Sequence, residues 1–136
     1  MNTCLHLADT AVTLTLPDGS RHEIALNPAE LARRELRQMP PTDYQWETAI
    51  MTVEDAIAPM RALLPPQSTL YLHADSLRPL AVSDGLITQN TIEQAFQRIS
   101  RYGSDPALPP NLHTYAELLI VREWLHHMHF ESAQLR

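Results

Sequence analysis

The stretch "AVTLTLPDGSRHEIAL", residues 11–26, decides the fold class of this chain. Apolar residues alternate with polar ones both before and after the tripeptide Pro17-Asp18-Gly19. Alternation with a period of two is typical of a strand with one buried face, and a glycine-containing turn between two such runs predicts a β-hairpin. The chain therefore contains a β-sheet, and the other elements have to be placed around it.

Helix signals follow the hairpin directly. Asn27 is a favourable N-cap, Pro28 suits the first helical position, and Glu30 completes a capping box. These residues predict a first helix over 28–38. The helix has to end before Pro40-Pro41, because proline cannot continue it.

A second helix is predicted to start at Thr42, whose capping-box partner is Gln45, and to end at Pro65-Pro66. Apolar residues follow a helical stripe through this segment, but Pro59 lies inside it. An interior proline removes a backbone hydrogen bond and costs about 3 kcal/mol. The sequence therefore predicts either a kink or a break into two shorter helices at this point.

The second half of the chain adds strands and two more helices. "STLYLHA", 68–74, predicts a third strand, and "RPLAV", 78–82, predicts an edge strand, where proline is tolerated. Apolar spacing then predicts a helix that is capped by Asn90 or Thr91 and closed by a glycine. A capping box predicts a last helix over about 115–130.

The resulting order, β-β-α-α-β-(β)-α-α, describes an α+β fold. An N-terminal β-hairpin and one or two further strands form a small sheet, which packs against about four helices. The chain has 136 residues, of which 44% are apolar and 19% charged, and this is typical of a single globular domain over residues 1–136. A domain of this size buries roughly two-thirds of its unfolded surface and needs no disulfide or metal to fold.

Cysteine content, hydropathy and charge limit the cellular compartments and the classes of binding partner that are consistent with this chain. A single cysteine, the lack of an export signal and apolar runs too short to span a bilayer predict a cytoplasmic protein without membrane contact. The net charge of −6 opposes a nucleic-acid partner, because phosphate contacts require a basic surface. The strongest basic group, Arg33, Arg34 and Arg37, is either a small anion site or a solvated helix surface with a Glu30–Arg34 ion pair. We favour the surface.

Familiar catalytic motifs are absent from the sequence. The three glycines, at 19, 85 and 103, cannot form a dinucleotide-binding or P-loop motif, and the lack of lysine excludes Schiff-base chemistry. Two weaker pairs remain. Cys4 and His6 form a Cys-x-His pair, which we interpret as structural. His73 and Asp75 end the third predicted strand and form either a general-base pair or an ordinary strand end.

The segment "VREWLHHMHF", 121–130, holds three of the seven histidines. On a helix, Glu123 and His126 are spaced i,i+3, as are His126 and His129, so these three side chains could bind zinc or another transition metal. The alternative is that the histidines complement the helix dipole, with Glu123–His127 as a surface pair. We favour this alternative over the metal site.

Apolar and aromatic side chains of the same helix support a third interpretation, in which they anchor a protein interface. These candidates are Trp124, Leu125, Met128 and Phe130. We therefore expect a small accessory or regulatory protein, which binds a protein partner or a second copy of itself through the last helix and uses no cofactor. The other hypothesis is a metal-binding protein or metal-dependent enzyme that uses Glu123, His126 and His129, with His73 or His113 brought near by folding. Whether the chain is an enzyme stays open.

Overall fold

A six-stranded mixed sheet forms the centre of the fold in the computed structural model, which describes residues 1–136. The strands are β1 (Asn2–Leu7), β2 (Val12–Thr15), β3 (Arg21–Ile24), β4 (Thr69–His73), β5 (Leu86–Thr88) and β6 (Ser132–Leu135). Across the sheet they are ordered β3-β2-β1-β4-β6-β5. The central strands β1, β4 and β6 are parallel, and the outer strands pair antiparallel. The predicted α+β fold class is confirmed.

The predicted hairpin is confirmed as β2 and β3, which pair antiparallel on either side of a tight turn. Asp18 accepts hydrogen bonds from both the backbone N–H and the hydroxyl group of Ser20. Gly19 has a φ of +88°, a conformation that glycine adopts without steric cost. The turn between β2 and β3 is therefore formed by the same residues from which the sequence predicted it.

Strands β1, β5 and β6 are not among the predicted strands, although β1 lies at the centre of the sheet. In β1, Leu5 and Leu7 face the core while Cys4 and His6 face the other side. The alternation of a strand is therefore present in "CLHL", but it is short and lies at the start of the chain. β6 has only four residues, too few for a recognisable pattern.

The predicted edge strand over 78–82 is wrong. Most of this segment belongs to a 3₁₀ helix, Asp75–Leu80, which buries Leu77 and Leu80 in the core. Pro79 is accommodated there because the short helix does not need its missing N–H. The outer position of the sheet is taken by β5 instead.

Four helices complete the fold, and none is long and apolar enough to cross a membrane. They are α1 (Pro28–Glu30), which continues as a π-helical segment (Leu31–Leu36), α2 (Asp43–Ile57), which continues as a 3₁₀ segment (Ala58–Leu63), α3 (Gln89–Tyr102) and α4 (Leu112–His127). Asn27 and Thr42 cap α1 and α2 as predicted. At Pro59 the structure shows a change to 3₁₀ geometry, because the proline lacks the N–H that the α-helix needs.

Helix α4 lies inside the core. It starts at Leu112, with Asn111 as its N-cap, and ends at His127, so it lies about three residues earlier than predicted. It is buried on nearly all sides, and its buried residues include the carboxylates Glu117 and Glu123. One face of the sheet supplies the rest of the core, while the alternate residues of its strands are partly exposed.

We expect Gly85→Ala to lower the free energy of unfolding by about 1–3 kcal/mol, and by more than Gly19→Ala does. Both glycines have positive φ, +82° and +88°, so both substitutions strain the backbone. Only at Gly85 would the new Cβ also lie 2.8 Å from Gln134 Nε2 and 3.4 Å from the carbonyl oxygen of Leu135. Urea denaturation of the two variants measures the difference. Equal losses would show that β6 adjusts freely.

Candidate active site

The parallel strands β1 and β4 lie side by side, and a group of polar residues lies at their carboxyl ends, which form one edge of the sheet. We call the group of Asp9, Asp75, Ser76, His113 and Glu117 the strand-end cluster. Asp9 lies two residues beyond β1, and Asp75 and Ser76 lie two and three residues beyond β4. The first turns of α4 bring His113 and Glu117 to the same edge, four residues apart on one helix face.

His113 occupies the middle of this cluster. Its Nε2 lies 3.4 Å from Asp9 Oδ1 and 3.7 Å from Glu117 Oε1. The hydroxyl group of Ser76 donates a short hydrogen bond to Glu117 Oε1. The side chains of Asp9 and Asp75 are each 90% exposed, whereas that of Glu117 is only 6% exposed. The cluster therefore combines open carboxylates with a buried one.

Burial raises the pKa of the Glu117 carboxyl above its ordinary value. The Ser76 hydrogen bond and His113 lower this pKa, and the negative charges of Asp9 and Asp75 raise it again, but burial dominates. A carboxyl with a raised pKa at a ligand-binding edge of the fold is suited to accept and release a proton. Glu117 is thus the residue of this cluster best suited to accept and release a proton.

The raised pKa predicts a pH-dependent contribution to stability. Because the folded state binds the Glu117 proton more tightly than the unfolded state, its contribution is fully present below the ordinary glutamate pKa and is lost as the pH rises through the folded value. We therefore expect Glu117→Gln to gain stability relative to the unmodified chain as the pH rises from mildly acidic to neutral. Urea denaturation of both proteins at several pH values tests this. A difference that is independent of pH would contradict it.

The predicted His73–Asp75 pair does not form, because β4 ends at His73 and the chain turns into the 3₁₀ helix. Asp75 pairs with Arg78 at 3.2 Å, and the His73 ring lies 5.0 Å from the ring of His6 on the partly exposed sheet face. Burial raises the pKa of the Cys4 thiol, which disfavours a nucleophilic thiolate. The structural interpretation of Cys4 and His6 therefore fits the geometry.

A second polar group lies at the opposite end of α4. We call Glu54, Glu123 and His127 the helix-end cluster. His127 Nε2 lies 2.8 Å from Glu54 Oε2 and 3.3 Å from Glu123 Oε1. Glu54 comes from α2, and Arg122 binds the other oxygen of Glu123 at 2.7 Å. A cavity of about 660 Å³ opens beside this cluster.

The side chains of the predicted metal ligands Glu123, His126 and His129 do not come together at one point. His126 is exposed, and His129 lies beyond the helix end with a φ of +61°, so the two histidines do not continue one helical face. Neither proposed addition reaches Glu123. His113 lies ten residues away along α4, or about 15 Å, and His73 lies on the sheet.

The predicted interface residues are part of the chain's own core. Trp124, Leu125 and Met128 are buried, and Phe130 is partly buried against the core. In the folded chain they are therefore not available to anchor a partner. In the basic group, Arg33 and Arg34 both pair with Glu30, so the surface interpretation with its Glu30–Arg34 pair fits the structure.

Asp9, Ser76, Glu117 and Glu54 are absent from the predicted sites. Asp9 carries a usable signal, since it lies two residues after the alternating residues of β1. Glu54 carries none, because an acidic residue on a helix is common and only the packing of α2 on α4 places it beside His127. These residues become candidate site residues only because folding brings them into the two clusters.

No protein-family model and no characterised protein matches the sequence. Among solved structures, the chain is similar to the Aquifex aeolicus Ppx/GppA phosphatase in its type II variant, with a TM-score of 0.76 and 12% identity over 98% of this chain and 52% of that one. Another structure of the Aquifex aeolicus family member gives a TM-score of 0.79 at 11% identity, covering 98% of this chain and 51% of that one. An exopolyphosphatase-like protein gives 0.67 at 13%, covering 98% and 53%.

This chain spans about half the length of the solved structures that it matches. Identities this low show a shared fold. The expectation of a small accessory or regulatory protein is nevertheless wrong in the light of these matches. The chain has the architecture of half of an enzyme described as a phosphatase, and the helix that was expected to form the interface is buried inside that architecture.

Proposed function

We propose that this chain is a phosphatase-like enzyme domain, which hydrolyses a phosphoanhydride bond of a phosphate chain at the strand-end cluster. The fold similarity to proteins described as a Ppx/GppA phosphatase and as an exopolyphosphatase-like protein supports the reaction class. The observation that carries the proposal is the position of the cluster. It lies at the carboxyl ends of parallel strands, the edge at which open α/β sheets bind their ligands.

Glu117 is the group best placed to activate water. Its buried carboxylate would take a proton from a water molecule, while His113 beside it orients that water. The water oxygen then forms a bond to the terminal phosphorus. The bond from that phosphorus to the bridging oxygen breaks, and its electron pair leaves with the shortened phosphate chain.

The acidic character of the edge requires a cation to accompany the anionic substrate. Asp9 and Asp75 present exposed carboxylate oxygens, which are the ligands that Mg²⁺ prefers, so they suit a magnesium-bound phosphate chain. Arg78, half-exposed beside Asp75, offers N–H donors to phosphate oxygens. The turn between β1 and β2, residues 8–11, contains no glycine, so side chains and the cation have to supply the contacts that a glycine-rich loop would otherwise make.

The match to half of each related structure indicates how the site would be completed. A single sheet edge covers the substrate from one side only, and phosphate hydrolysis benefits from exclusion of bulk water. We infer that a second unit faces the strand-end cluster and covers the other side of the phosphate chain. The chain itself would supply the groups at the carboxyl ends of β1 and β4.

The proposal is tested by nuclear magnetic resonance of the ¹⁵N-labelled chain, titrated with tripolyphosphate in the presence of Mg²⁺. We expect amide shifts confined to residues 8–11, 75–78 and 111–114, around the strand-end cluster. Mg²⁺ alone and tripolyphosphate alone serve as reference titrations. Shifts that are absent, or that map to the opposite end of α4, would overturn the proposed site.

A pair of variants tests the carboxylates. Asp75→Asn is expected to weaken binding of the magnesium complex by about tenfold, since it removes one charged oxygen ligand. Asp55→Asn is the matched control, because Asp55 is also exposed but lies on α2 away from the cluster. Equal affinities of the two variants would contradict a role for the edge carboxylates.

A further inference from the structure

We propose that the helix-end cluster is a separate metal site, in which Glu54, Glu123 and His127 bind one divalent transition-metal ion of the zinc type. Imidazole nitrogen and carboxylate oxygen are both zinc ligands, and three protein ligands with one open position are a common arrangement. The cluster lies at the opposite end of α4 from the strand-end cluster. The proposal therefore does not depend on the phosphatase function.

The ligand atoms already converge. His127 Nε2 lies 2.8 Å from Glu54 Oε2 and 3.3 Å from Glu123 Oε1, and the three ligand atoms lie within 4.8 Å of one another. Two ligands held tetrahedrally at about 2.0–2.2 Å from zinc are about 3.3–3.6 Å apart. The distance between His127 and Glu123 fits this value, and the distance between His127 Nε2 and Oε2 of the partly exposed Glu54 would have to lengthen by about 0.5 Å.

The charges of the cluster favour a divalent cation. Glu54, Glu123 and the neighbouring Glu93 carry three negative charges. Arg122 and Arg61, which donates to the backbone carbonyl of His127, carry two positive charges, which leaves −1 when His127 is neutral. Arg122 Nη1 binds Glu123 through Oε2, whereas Oε1 faces His127. The guanidinium group therefore leaves the metal-facing oxygen available.

The environment of Glu123 also fits. Its side chain is only 4% exposed, and Arg122 contacts one of its two carboxylate oxygens, Oε2. A buried carboxylate is stabilised by positive charge close to it, which a bound cation would add at Oε1. The adjacent cavity of about 660 Å³, lined also by His126, leaves room for water at the open coordination position.

An ion at this position would connect two helices. Glu54 belongs to α2, and Glu123 and His127 belong to the last turns of α4. Because the ligands come together only in the folded chain, the ion would bind the folded state and stabilise it by mass action. Metal binding and thermal stability should therefore change together.

The test uses the complete chain, stripped of metal with a chelator and titrated with Zn²⁺ by calorimetry. We expect one ion per chain, a higher unfolding temperature and a shift of the His127 imidazole nitrogen resonances. Glu54→Gln and His127→Ala should each weaken zinc binding by about tenfold or more. Circular dichroism confirms that these variants fold.

Two control variants separate this site from other ligands. His126→Ala removes an exposed histidine that lines the same cavity, and Cys4→Ser removes the only thiol. Both should bind zinc as the unmodified chain does. The proposal is overturned if no saturable binding occurs, since His127 would then simply pair with two carboxylates. It is also overturned if binding survives Glu54→Gln but is lost in either control.

Discussion

Replacing Trp124 by alanine is expected to lower the free energy of unfolding by about 3–5 kcal/mol, the largest loss among the substitutions considered for this chain. The side chain is 1% exposed and lies on α4, which is buried on nearly all sides. Its removal leaves a large cavity that the surrounding sheet and helices cannot close. Domains of this size are stable by only about 5–15 kcal/mol, so the variant would lie close to unfolding.

Trp124→Phe is the matched variant for this prediction. It keeps an aromatic ring in the core and removes the indole N–H, which is buried without a hydrogen-bond partner. An unpaired buried donor is costly, so part of the lost packing energy should be regained. We expect a loss clearly smaller than that of the alanine variant, measured by urea denaturation. A loss below about 1 kcal/mol for Trp124→Ala would mean that the indole is not part of the core.

Glu117→Gln is expected to reduce the rate of phosphate release from tripolyphosphate by about 10²–10⁴-fold, the usual contribution of a positioned general base. The amide keeps the size of the side chain and can still accept the Ser76 hydrogen bond, but it cannot take a proton from water. The unmodified protein should gain activity as the pH rises through the raised pKa of Glu117. The variant should lack this dependence while its affinity for tripolyphosphate stays within a few-fold.

The control for this substitution is Glu35→Gln, which also changes a partly buried carboxylate that accepts a hydroxyl hydrogen bond, here from Thr52. It lies outside the strand-end cluster and should leave phosphate release unchanged. If both variants lose activity equally, the effect is on the fold. If neither does, another group activates the water and the role assigned to Glu117 is wrong.

The elements that the sequence predicts well are those whose signals are local. The hairpin turn at Gly19, the caps Asn27 and Thr42 and the disturbance at Pro59 depend on neighbouring residues only, and the structure shows each of them. Strand β1 was harder to predict, because its place at the centre of the sheet depends on pairing with residues 12–15 and 69–73. No pattern within β1 itself indicates this pairing.

The two clusters depend on packing over long distances in the chain. Ser76 meets Glu117 across 41 positions, and Glu54 meets His127 only because α2 lies against α4. Helical spacing made His126 and His129 the metal-ligand candidates beside Glu123, since it assumes a helix that continues to residue 130. The helix ends at His127, so His129 lies beyond it and the helical spacing assumed between His126 and His129 does not apply.

The sheet order has a consequence for how the chain reaches its native state. The three parallel strands at the centre come from the beginning, the middle and the end of the sequence, at residues 2–7, 69–73 and 132–135. Closing such large loops costs entropy before any strand pairing compensates for it, which places a domain of this kind among the slower single-domain folders. During synthesis, β4 lacks one neighbour until residues 132–135 leave the ribosome. Until then its unpaired edge can associate with other chains, so this stage carries the greatest risk of aggregation.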